Sequence, residues 1–454
     1  HTRYWRDWSS DVCSSDLEWK DVHMVHVPPR NLVGLPMGGK SLIGGVDRVL
    51  EQSEVVTFIY QAIDSIDVAG KNVLLVVPDS TRSCPMPELL PCVYQALENK
   101  VASMTALIAL GTHSAMTNKE IDTFFAGNLT VKEKYPQLNF VNHEWWKPDQ
   151  FVQIGEISEG EIREISSGRM DNNVKIIINR LVVESNLVII VGPVFPHEVV
   201  GFSGGAKYLF PGVSGKEIID TSHWLGALIT SSQIIGTPGV TPVRELINLA
   251  AAKISTDLFA FCLVVKSGAA EIEAISFGKP HSAWELAANI SSQTHITYLE
   301  RPVKRVLSII PDRYRDIWTA AKGMYKVDPV VDDGGEVILY APHVKEFALS
   351  HPELEEIGYH CRAFFTEQWG QYRNYSASVL AHATHLRGAG TYSAQAGEQC
   401  RITITLATGI SESRVKAANL NYLDPNSVDI SKYRSDGETF VLPNAGEILY
   451  RLGR

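Results

Sequence analysis

The feature that most constrains the fold is a series of short apolar runs that alternate with amphipathic stretches. The run KNVLLVVPD at 71–79 is apolar on both faces, and PELLPCVYQALENK at 87–100 has the spacing of a helix. Similar apolar runs recur at 103–113, 186–196 and 257–265. Strands that are apolar on both faces and alternate with helices are typical of parallel sheets covered by helices. The sequence therefore predicts an α/β fold with parallel or mixed sheets.

The alternation restarts after about residue 300, which predicts a second α/β domain. A chain of 454 residues has room for two domains, because single cores stop growing at roughly 250–300 residues. We assign an N-terminal domain to 18–295 and a C-terminal domain to 300–420, with the tail 425–454 rejoining the first. The active site is expected in the cleft between the two domains.

The first 17 residues, HTRYWRDWSSDVCSSDL, are excluded from this fold prediction. They are polar and lack the apolar region of a signal peptide, and they resemble read-through of a sequencing adapter more than native protein. The net charge of −10 argues against a nucleic-acid partner, whose binding protein would carry clustered basic residues. No apolar run is long enough to cross a membrane. Six scattered cysteines without a C-x-x-C pair indicate reduced thiols and a cytoplasmic location.

Two motifs suggest chemistry that their surroundings do not favour. GLPMGGKS at 34–41 fits the phosphate-binding P-loop of an NTPase, but prolines precede it and two glycines follow Lys40 where a helix should begin. GFSGG at 201–205 fits the nucleophile elbow of a hydrolase, yet the preceding apolar run ends well before Ser203. A turn of this kind is more simply an anion-binding nest of backbone N–H groups. A nucleotide-binding or phosphate-binding protein without turnover therefore stays as an alternative.

The pair HATH at 382–385 could bind a metal from one face of a helix. Glycines follow closely and are expected to end any helix there, which favours a structural or rim role for His382 and His385. Their role, and that of Trp369, stays open.

Polar residues capable of acid–base chemistry follow three of the predicted strands directly. Asp79 and Arg82 follow the first, His113 the second and His197 the third. Because ligands of open α/β sheets bind beyond the carboxyl ends of the strands, these side chains are expected to share a site. Arginine presents a planar fork suited to a carboxylate, and histidine can act as acid or base near neutral pH.

Taken together, the ordered motifs D-x-T-R at 79–82, G-T-H at 111–113 and H-E-x-x-G-F-S-G-G-A-K-x-x-x-P-G…H at 197–223 resemble the nickel-dependent lactate racemase family. The resemblance runs from about residue 25 to the end, is strongest at 70–225, and includes Lys322 in TAAKGM.

This resemblance implies a two-domain racemase or epimerase of 2-hydroxy acids with a nickel-pincer nucleotide as cofactor, supplied by cofactor-biosynthesis enzymes. It assigns Lys207 to the cofactor tether and His223 to the nickel. The phosphate nest is implied at Ser203, Gly204 and Gly205. The implied catalytic residues are the acid–base pair His113 and His197, the carboxylate-binding Arg82 and Lys322, and the supporting Asp79.

The implied chemistry explains why a mirrored pair of histidines is needed. The α-proton of a 2-hydroxy acid is weakly acidic, so removal of hydride, with a base for the hydroxyl proton, is the easier route. The flat 2-keto acid can then turn and regain hydride on its other face, where a second histidine must serve. Cationic groups hold the carboxylate throughout.

Three positions depart from the pattern of the family. Ser83 replaces a proline, Ser114 an arginine and Thr319 a glutamine. These departures predict that substrate-contacting residues have changed while the cofactor-facing set is kept. We therefore expect a 2-hydroxy acid other than lactate, either more polar, such as a sugar acid, or bulkier, such as an aromatic one.

Overall fold

The computed structural model describes residues 24–25, 41–268 and 271–453. Two sequence interpretations fall outside this part of the chain. They are the non-native character of 1–17 and the P-loop-like motif, of which only Ser41 is described.

Twenty-one strands and eighteen α-helices occur in the described residues. The first ten strands are β1 (Met24–Val25), β2 (Ser41–Gly44), β3 (Asn72–Val77), β4 (Ser103–Ile108), β5 (Leu138–Asn142), β6 (Phe151–Ile157), β7 (Val174–Asn179), β8 (Leu187–Pro193), β9 (Pro196–His197) and β10 (Gly201–Phe202). The others are β11 (Asp257–Val265), β12 (Ile272–Gly278), β13 (Ile296–Leu299), β14 (Val303–Ile309), β15 (Val331–Ala341), β16 (Gly390–Ser393), β17 (Gly397–Cys400), β18 (Thr403–Thr408), β19 (Asn421–Tyr422), β20 (Thr439–Leu442) and β21 (Leu449–Leu452).

The first nine α-helices are α1 (Gln52–Asp64), α2 (Met86–Leu97), α3 (Asn118–Ile121), α4 (Val131–Lys134), α5 (Glu159–Ile165), α6 (Arg180–Glu184), α7 (Lys216–Ile229), α8 (Ser231–Ile234) and α9 (Pro242–Ala251). The remaining nine are α10 (Pro280–Thr294), α11 (Ile317–Ala320), α12 (Lys322–Tyr325), α13 (Glu353–Ile357), α14 (Arg362–Glu367), α15 (Trp369–Tyr372), α16 (Ala377–Arg387), α17 (Glu412–Ala417) and α18 (Ile430–Ser435).

A seven-stranded mixed sheet organises the N-terminal unit, residues 41–299. Its order is β2-β12-β11-β8-β3-β4-β5. The five strands from β11 to β5 are parallel, β12 runs antiparallel to β11, and the edge strand β2 runs antiparallel to β12. Along β3, Val73, Leu75 and Val77 face one core, and Leu74 and Val76 face another. Burial of both faces explains why these strands are apolar at every position.

A five-stranded parallel sheet organises the C-terminal unit, residues 303–442, in the order β19-β18-β15-β14-β20. The prediction of an α/β fold with parallel and mixed sheets is thereby confirmed. Strand β20 comes from the tail 425–454, and it pairs with β14 of this sheet. One edge of β14 pairs with β15, and β20 pairs in parallel with the other edge. The later β21 pairs with β13, at the end of the N-terminal unit.

Among the described residues, no helix combines the length and the apolar character needed to cross a membrane.

Candidate active site

Three adjacent parallel strands bring the predicted acid–base residues to one edge of the seven-stranded sheet. Strands β8, β3 and β4 are neighbours and point the same way. Their carboxyl ends lead directly to His197, Asp79 and His113 respectively. Each side chain therefore lies just beyond a strand that is rigidly held in the core, which is where ligands bind in open α/β sheets.

These residues line one cavity. The N-terminal unit contributes eighteen lining residues and the C-terminal unit five. They are Pro78, Asp79, Arg82, Ala109, Leu110, Gly111, Thr112, His113, His197, Glu198, Val199, Ser203, Gly204, Lys207, Tyr208, Pro211, Gly212, His223, Trp318, Lys322, Tyr325, His382 and His385.

A carboxylate orients the first predicted histidine. The Nδ1 atom of His113 lies 2.5 Å from Oδ2 of Asp79, and Oδ1 of Asp79 accepts hydrogen bonds from the backbone N–H and the hydroxyl of Thr81. Burial of the Asp79 carboxyl opposes ionisation, but His113 and these hydrogen bonds outweigh it and lower the pKa of Asp79 below its usual range. With Nδ1–H donated to the carboxylate, Nε2 of His113 keeps its lone pair and can accept a proton.

The second predicted histidine has the opposite arrangement of donor and acceptor. His197 ends the short strand β9, which pairs with β10, and its Nδ1 accepts a hydrogen bond from the backbone N–H of Val199 at 3.1 Å. Burial, reinforced by the charges of Lys207 and Arg82, lowers the pKa of His197 well below 6.5. The ring is therefore neutral near pH 7, and its proton is on Nε2.

The third histidine, His223, could bind a metal through Nε2. Within α7, Nδ1 of His223 donates to the backbone carbonyl of Ile219 at 2.7 Å. This bond fixes the tautomer and leaves a lone pair on Nε2, as in metal-binding histidines of known proteins. Burial, with a contribution from the charge of Lys207, lowers the pKa of His223 to about 4, so the ring stays neutral as a metal ligand must.

Three cationic side chains complete the wall of the cavity: Arg82, Lys207 and Lys322. Burial and the charge of Arg82 lower the pKa of Lys207 and that of Lys322 to about 7 each. The Nζ atom of Lys322 is buried and has no hydrogen-bond partner among the residues that the structure describes. Because buried polar groups are normally hydrogen-bonded, this amine is suited to bind a ligand that offers an acceptor atom.

Comparison with known proteins identifies the part of the chain that carries this site. Residues 57–236 match the sequence profile of the lactate racemase N-terminal domain. The resemblance found in the sequence motifs is thereby confirmed.

Two curated relatives are lactate racemases. The protein of Thermoanaerobacterium thermosaccharolyticum is 27% identical over 276 residues, which is 60% of each chain. That of Lactiplantibacillus plantarum is 25% identical over 154 residues, which is 34% of this chain and 32% of the relative. The chain thus aligns with less than two thirds of the length of either relative.

Two solved structures share the fold. A protein of Thermotoga maritima has a TM-score of 0.82 at 29% identity, and the match covers 90% of this chain and 100% of that one. The lactate racemase apoprotein of Thermoanaerobacterium thermosaccharolyticum has a TM-score of 0.67 at 19% identity, with 90% and 94% covered. The similarity therefore extends well beyond the lactate racemase N-terminal domain into the C-terminal unit.

At the turn 203–205, two of the three backbone N–H groups have partners inside the protein. The backbone N–H of Ser203 donates to the carbonyl of Phe195, and that of Gly205 bonds to the thiol of Cys262. Ser203 and Gly204 line the cavity, but Gly205 does not. The phosphate nest implied at these three residues stays a prediction.

Packing explains why the turn needs its glycines. Gly204 has φ +88°, and a Cβ there would lie 2.5 Å from Cγ2 of Val194. At Gly205, with φ +57°, a Cβ would lie 2.7 Å from Cβ of Trp284. Positive φ and these close approaches leave no room for a side chain.

The three departures from the family pattern lie outside the lining of this cavity. A neighbouring cavity includes Ser114 and Thr319 in its lining. Ser114 hydrogen-bonds to Ser350, and the hydroxyl of Thr319 bonds to Asp316. The backbone N–H of Ser83 donates to Glu447, and Ser83 lines neither cavity.

The sequence left open the role of two residues that the structure places in the cavity wall, His382 and His385. The helix α16 continues to Arg387 and ends at Gly388, with φ +80°, so both histidines lie inside it. Both are buried and line the cavity. Their spacing of three residues was the signal, but the face that α16 turns inward depends on its packing.

Trp369 lies outside the set of lining residues. It is partly exposed and stacks on Trp224 with ring centroids 5.3 Å apart.

Another group of possible metal ligands lies outside the cavity lining. Cys361, Glu398 and Cys400 place their ligand atoms within 4.8 Å of one another. The Glu398 carboxylate already accepts hydrogen bonds from the backbone N–H of Cys361, from Asn419 and from His360. Because these bonds use the carboxylate, a metal would have to displace them.

Proposed function

We propose that the protein is a racemase or epimerase of a 2-hydroxy acid other than lactate, acting by hydride transfer with a nickel-pincer nucleotide. The observation that carries this proposal is the single cavity in which His113, His197 and His223 meet Lys207 and Lys322. The lactate racemase N-terminal domain at 57–236 supports the reaction class.

The residues present suit the proposed cofactor. His223 offers a neutral Nε2 lone pair, and imidazole together with sulfur ligands suits nickel. Burial lowers the pKa of Lys207 to about 7, so a substantial fraction of its amine is uncharged near neutral pH and available to contact or tether the cofactor. When bound, the nucleotide would supply an electron-poor ring that accepts and returns hydride.

The cations of the cavity would bind and orient the substrate. Arg82 can hold a carboxylate through two N–H groups, and Lys322 offers a buried amine without a hydrogen-bond partner among the described side chains. Both lie within the cavity that also contains the two predicted acid–base histidines. The carboxylate is thereby proposed to be anchored with C2 between His113 and His197.

The two histidines would handle the proton of the substrate hydroxyl. Nε2 of His113 accepts the proton, and Asp79 stabilises the resulting imidazolium through the bond at Nδ1. His197 presents Nε2–H, because Val199 occupies its Nδ1, and donates a hydrogen bond to the same oxygen from elsewhere in the cavity. When hydride returns, the His113 imidazolium gives its proton back to the substrate oxygen, and Nε2–H of His197 stays hydrogen-bonded to that oxygen, so both rings end as they began.

Nucleotide binding without turnover is less well supported. That alternative depends on the turn at 203–205, where the N–H groups of Ser203 and Gly205 already have partners in the protein. The alternative of nucleotide binding also assigns no role to the buried pair of Asp79 and His113.

The decisive experiment follows C2 of the substrate. Protein loaded by co-expression with cofactor-building enzymes is incubated in deuterated water with single enantiomers of a panel of 2-hydroxy acids. We expect inversion without deuterium at C2, measured by chiral chromatography and mass spectrometry. Deuterium at C2 would show proton abstraction in place of hydride transfer, and absence of inversion across the panel would refute the racemase proposal.

A further inference from the structure

Helix α16 contributes two histidines to the cavity that have no role in the reaction proposed above. His382 and His385 are three residues apart, so they share one face of the helix. Their exposed fractions are 6% and 4%, and both line the cavity. Buried side chains on one wall of a cavity are well placed to contact whatever fills it.

Both rings present a polar atom without a partner. The Nε2 atoms of His382 and His385 are buried and make no hydrogen bond to any described residue. The phenol of Tyr325 lies 3.1 Å from Nδ1 of His382, and with the phenol as donor the proton of the neutral ring is on Nε2. A buried N–H that stays unpaired destabilises the protein, whereas a ligand oxygen would satisfy it.

The position of His382 is fixed before any ligand binds. Its ring stacks on Trp318 with centroids 4.2 Å apart, and Nε1–H of Trp318 donates to the hydroxyl of Thr112 at 3.2 Å. Thr112 belongs to the loop that carries His113. The ring of His382 is therefore held in a fixed position relative to the predicted acid–base residues, as a residue that selects between substrates must be.

The chemistry of this wall distinguishes between substrate classes. The carboxylate of the substrate is proposed to bind Arg82 and Lys322, so the remainder of the molecule can extend toward α16. An alkyl or aromatic side chain would leave both Nε2 atoms unpaired. Hydroxyl groups can donate and accept, and so match neutral imidazoles in either tautomer.

We propose that His382 and His385 form a binding subsite for hydroxyl groups beyond C2, which makes the substrate a polyhydroxylated 2-hydroxy acid. The subsite proposal rests on the proposed function, because it assumes the same orientation of the substrate carboxylate. It selects the sugar-acid class over the aromatic class, between which the sequence could not decide.

The test compares two acids of equal chain length, D-gluconate and (R)-2-hydroxyhexanoate, by calorimetric titration of the cofactor-loaded protein. We expect the wild type to bind gluconate at least tenfold more tightly. Each of His382→Phe and His385→Phe, which keep a ring, should reduce that preference about tenfold. His382→Gln, which keeps a donor, should retain part of it. The control His281→Phe changes an exposed histidine of α10 and should leave it unchanged.

The outcomes separate this proposal from the proposed function. Equal affinity of the wild type for both acids, no binding of either, or a preference that survives both Phe variants overturns the subsite. If gluconate binds with the expected pattern but is not inverted at C2, the racemase proposal fails and the subsite stands.

Discussion

Three histidines of the same cavity all have Nε2 available, and the contact at Nδ1 decides in each case whether Nε2 carries a lone pair or a proton. At His113 the contact is a carboxylate, at His197 a backbone N–H and at His223 a backbone carbonyl. Where Nδ1 donates a hydrogen bond, Nε2 of the neutral ring has the lone pair. Where Nδ1 accepts one, Nε2 carries the proton. The proposed roles of base, hydrogen-bond donor and metal ligand follow from these contacts.

The carboxylate of Asp79 is expected to contribute directly to the rate of the reaction. Asp79→Asn removes the negative charge that would stabilise the His113 imidazolium, so kcat should fall roughly 100-fold with little change in KM. Steady-state kinetics on the loaded protein would measure this. Asp64→Asn, which changes an exposed carboxylate paired with Lys100, is the control and should have no effect on kcat.

The same substitution predicts a pH dependence of stability. Because the pKa of Asp79 is lower in the folded protein than in the unfolded chain, its stabilising contribution is complete above the unfolded pKa of about 4. It is lost as the pH falls from there toward the folded pKa. The difference in free energy of unfolding between wild type and Asp79→Asn should therefore shrink below about pH 4, as measured by urea unfolding. A constant difference between pH 7 and pH 3 would contradict this.

At the scale of elements, a buried arginine of α9 holds the turn that carries Ser203 and Gly204. The guanidinium of Arg244 donates to the backbone carbonyls of Phe202 and Gly204 and lies 4.1 Å from the ring of Trp284. Trp284 in turn donates to the carbonyl of Ser203. Burial lowers the pKa of Arg244 to about 9, so the charge persists near pH 7.

Arg244→Met should destabilise the protein by about 2 kcal/mol or more, because two buried carbonyls lose their donor. Urea unfolding would measure the change. Arg163→Met removes an exposed arginine paired with Glu159 on α5 and should change the free energy of unfolding by less than about 0.5 kcal/mol. Equal effects of the two substitutions would show that Arg244 does not support the turn.

At the scale of the whole molecule, the two units are joined by contacts beside the cavity. Asp220 of α7 accepts hydrogen bonds from the hydroxyl of Ser376 and from the backbone N–H of Ser378. A carboxylate of the N-terminal unit thus caps the beginning of α16 in the C-terminal unit. This contact links the helix that carries His223 with the helix that carries His382.

Asp220→Ala should cost about 1 kcal/mol of stability, as loss of a helix cap does. Amide hydrogen exchange in the first turn of α16 should become faster, as followed by mass spectrometry. Lys216→Ala is the matched control, since it removes the exposed partner of Asp220 and leaves the cap in place. Unchanged exchange in α16 after Asp220→Ala would contradict the proposed link.

The α/β class and the strands β3, β4, β8 and β11 were predictable because their apolar character is a property of a few consecutive residues. The motifs that follow these strands were likewise visible, and the structure brings the matching residues into one cavity. Their catalytic and cofactor-binding roles stay predictions.

Features that depend on residues far apart in the chain were decided only by the tertiary structure. The sequence shows the spacing of His382 and His385, but packing of α16 against α7 determines that they face the cavity. The partners of Ser203 and Gly205 are Phe195 and Cys262, which no local pattern identifies. Strand β20 joins the C-terminal sheet because β14 offers an unpaired edge. Local periodicity records which residues are buried, whereas their partners depend on how separate segments pack together.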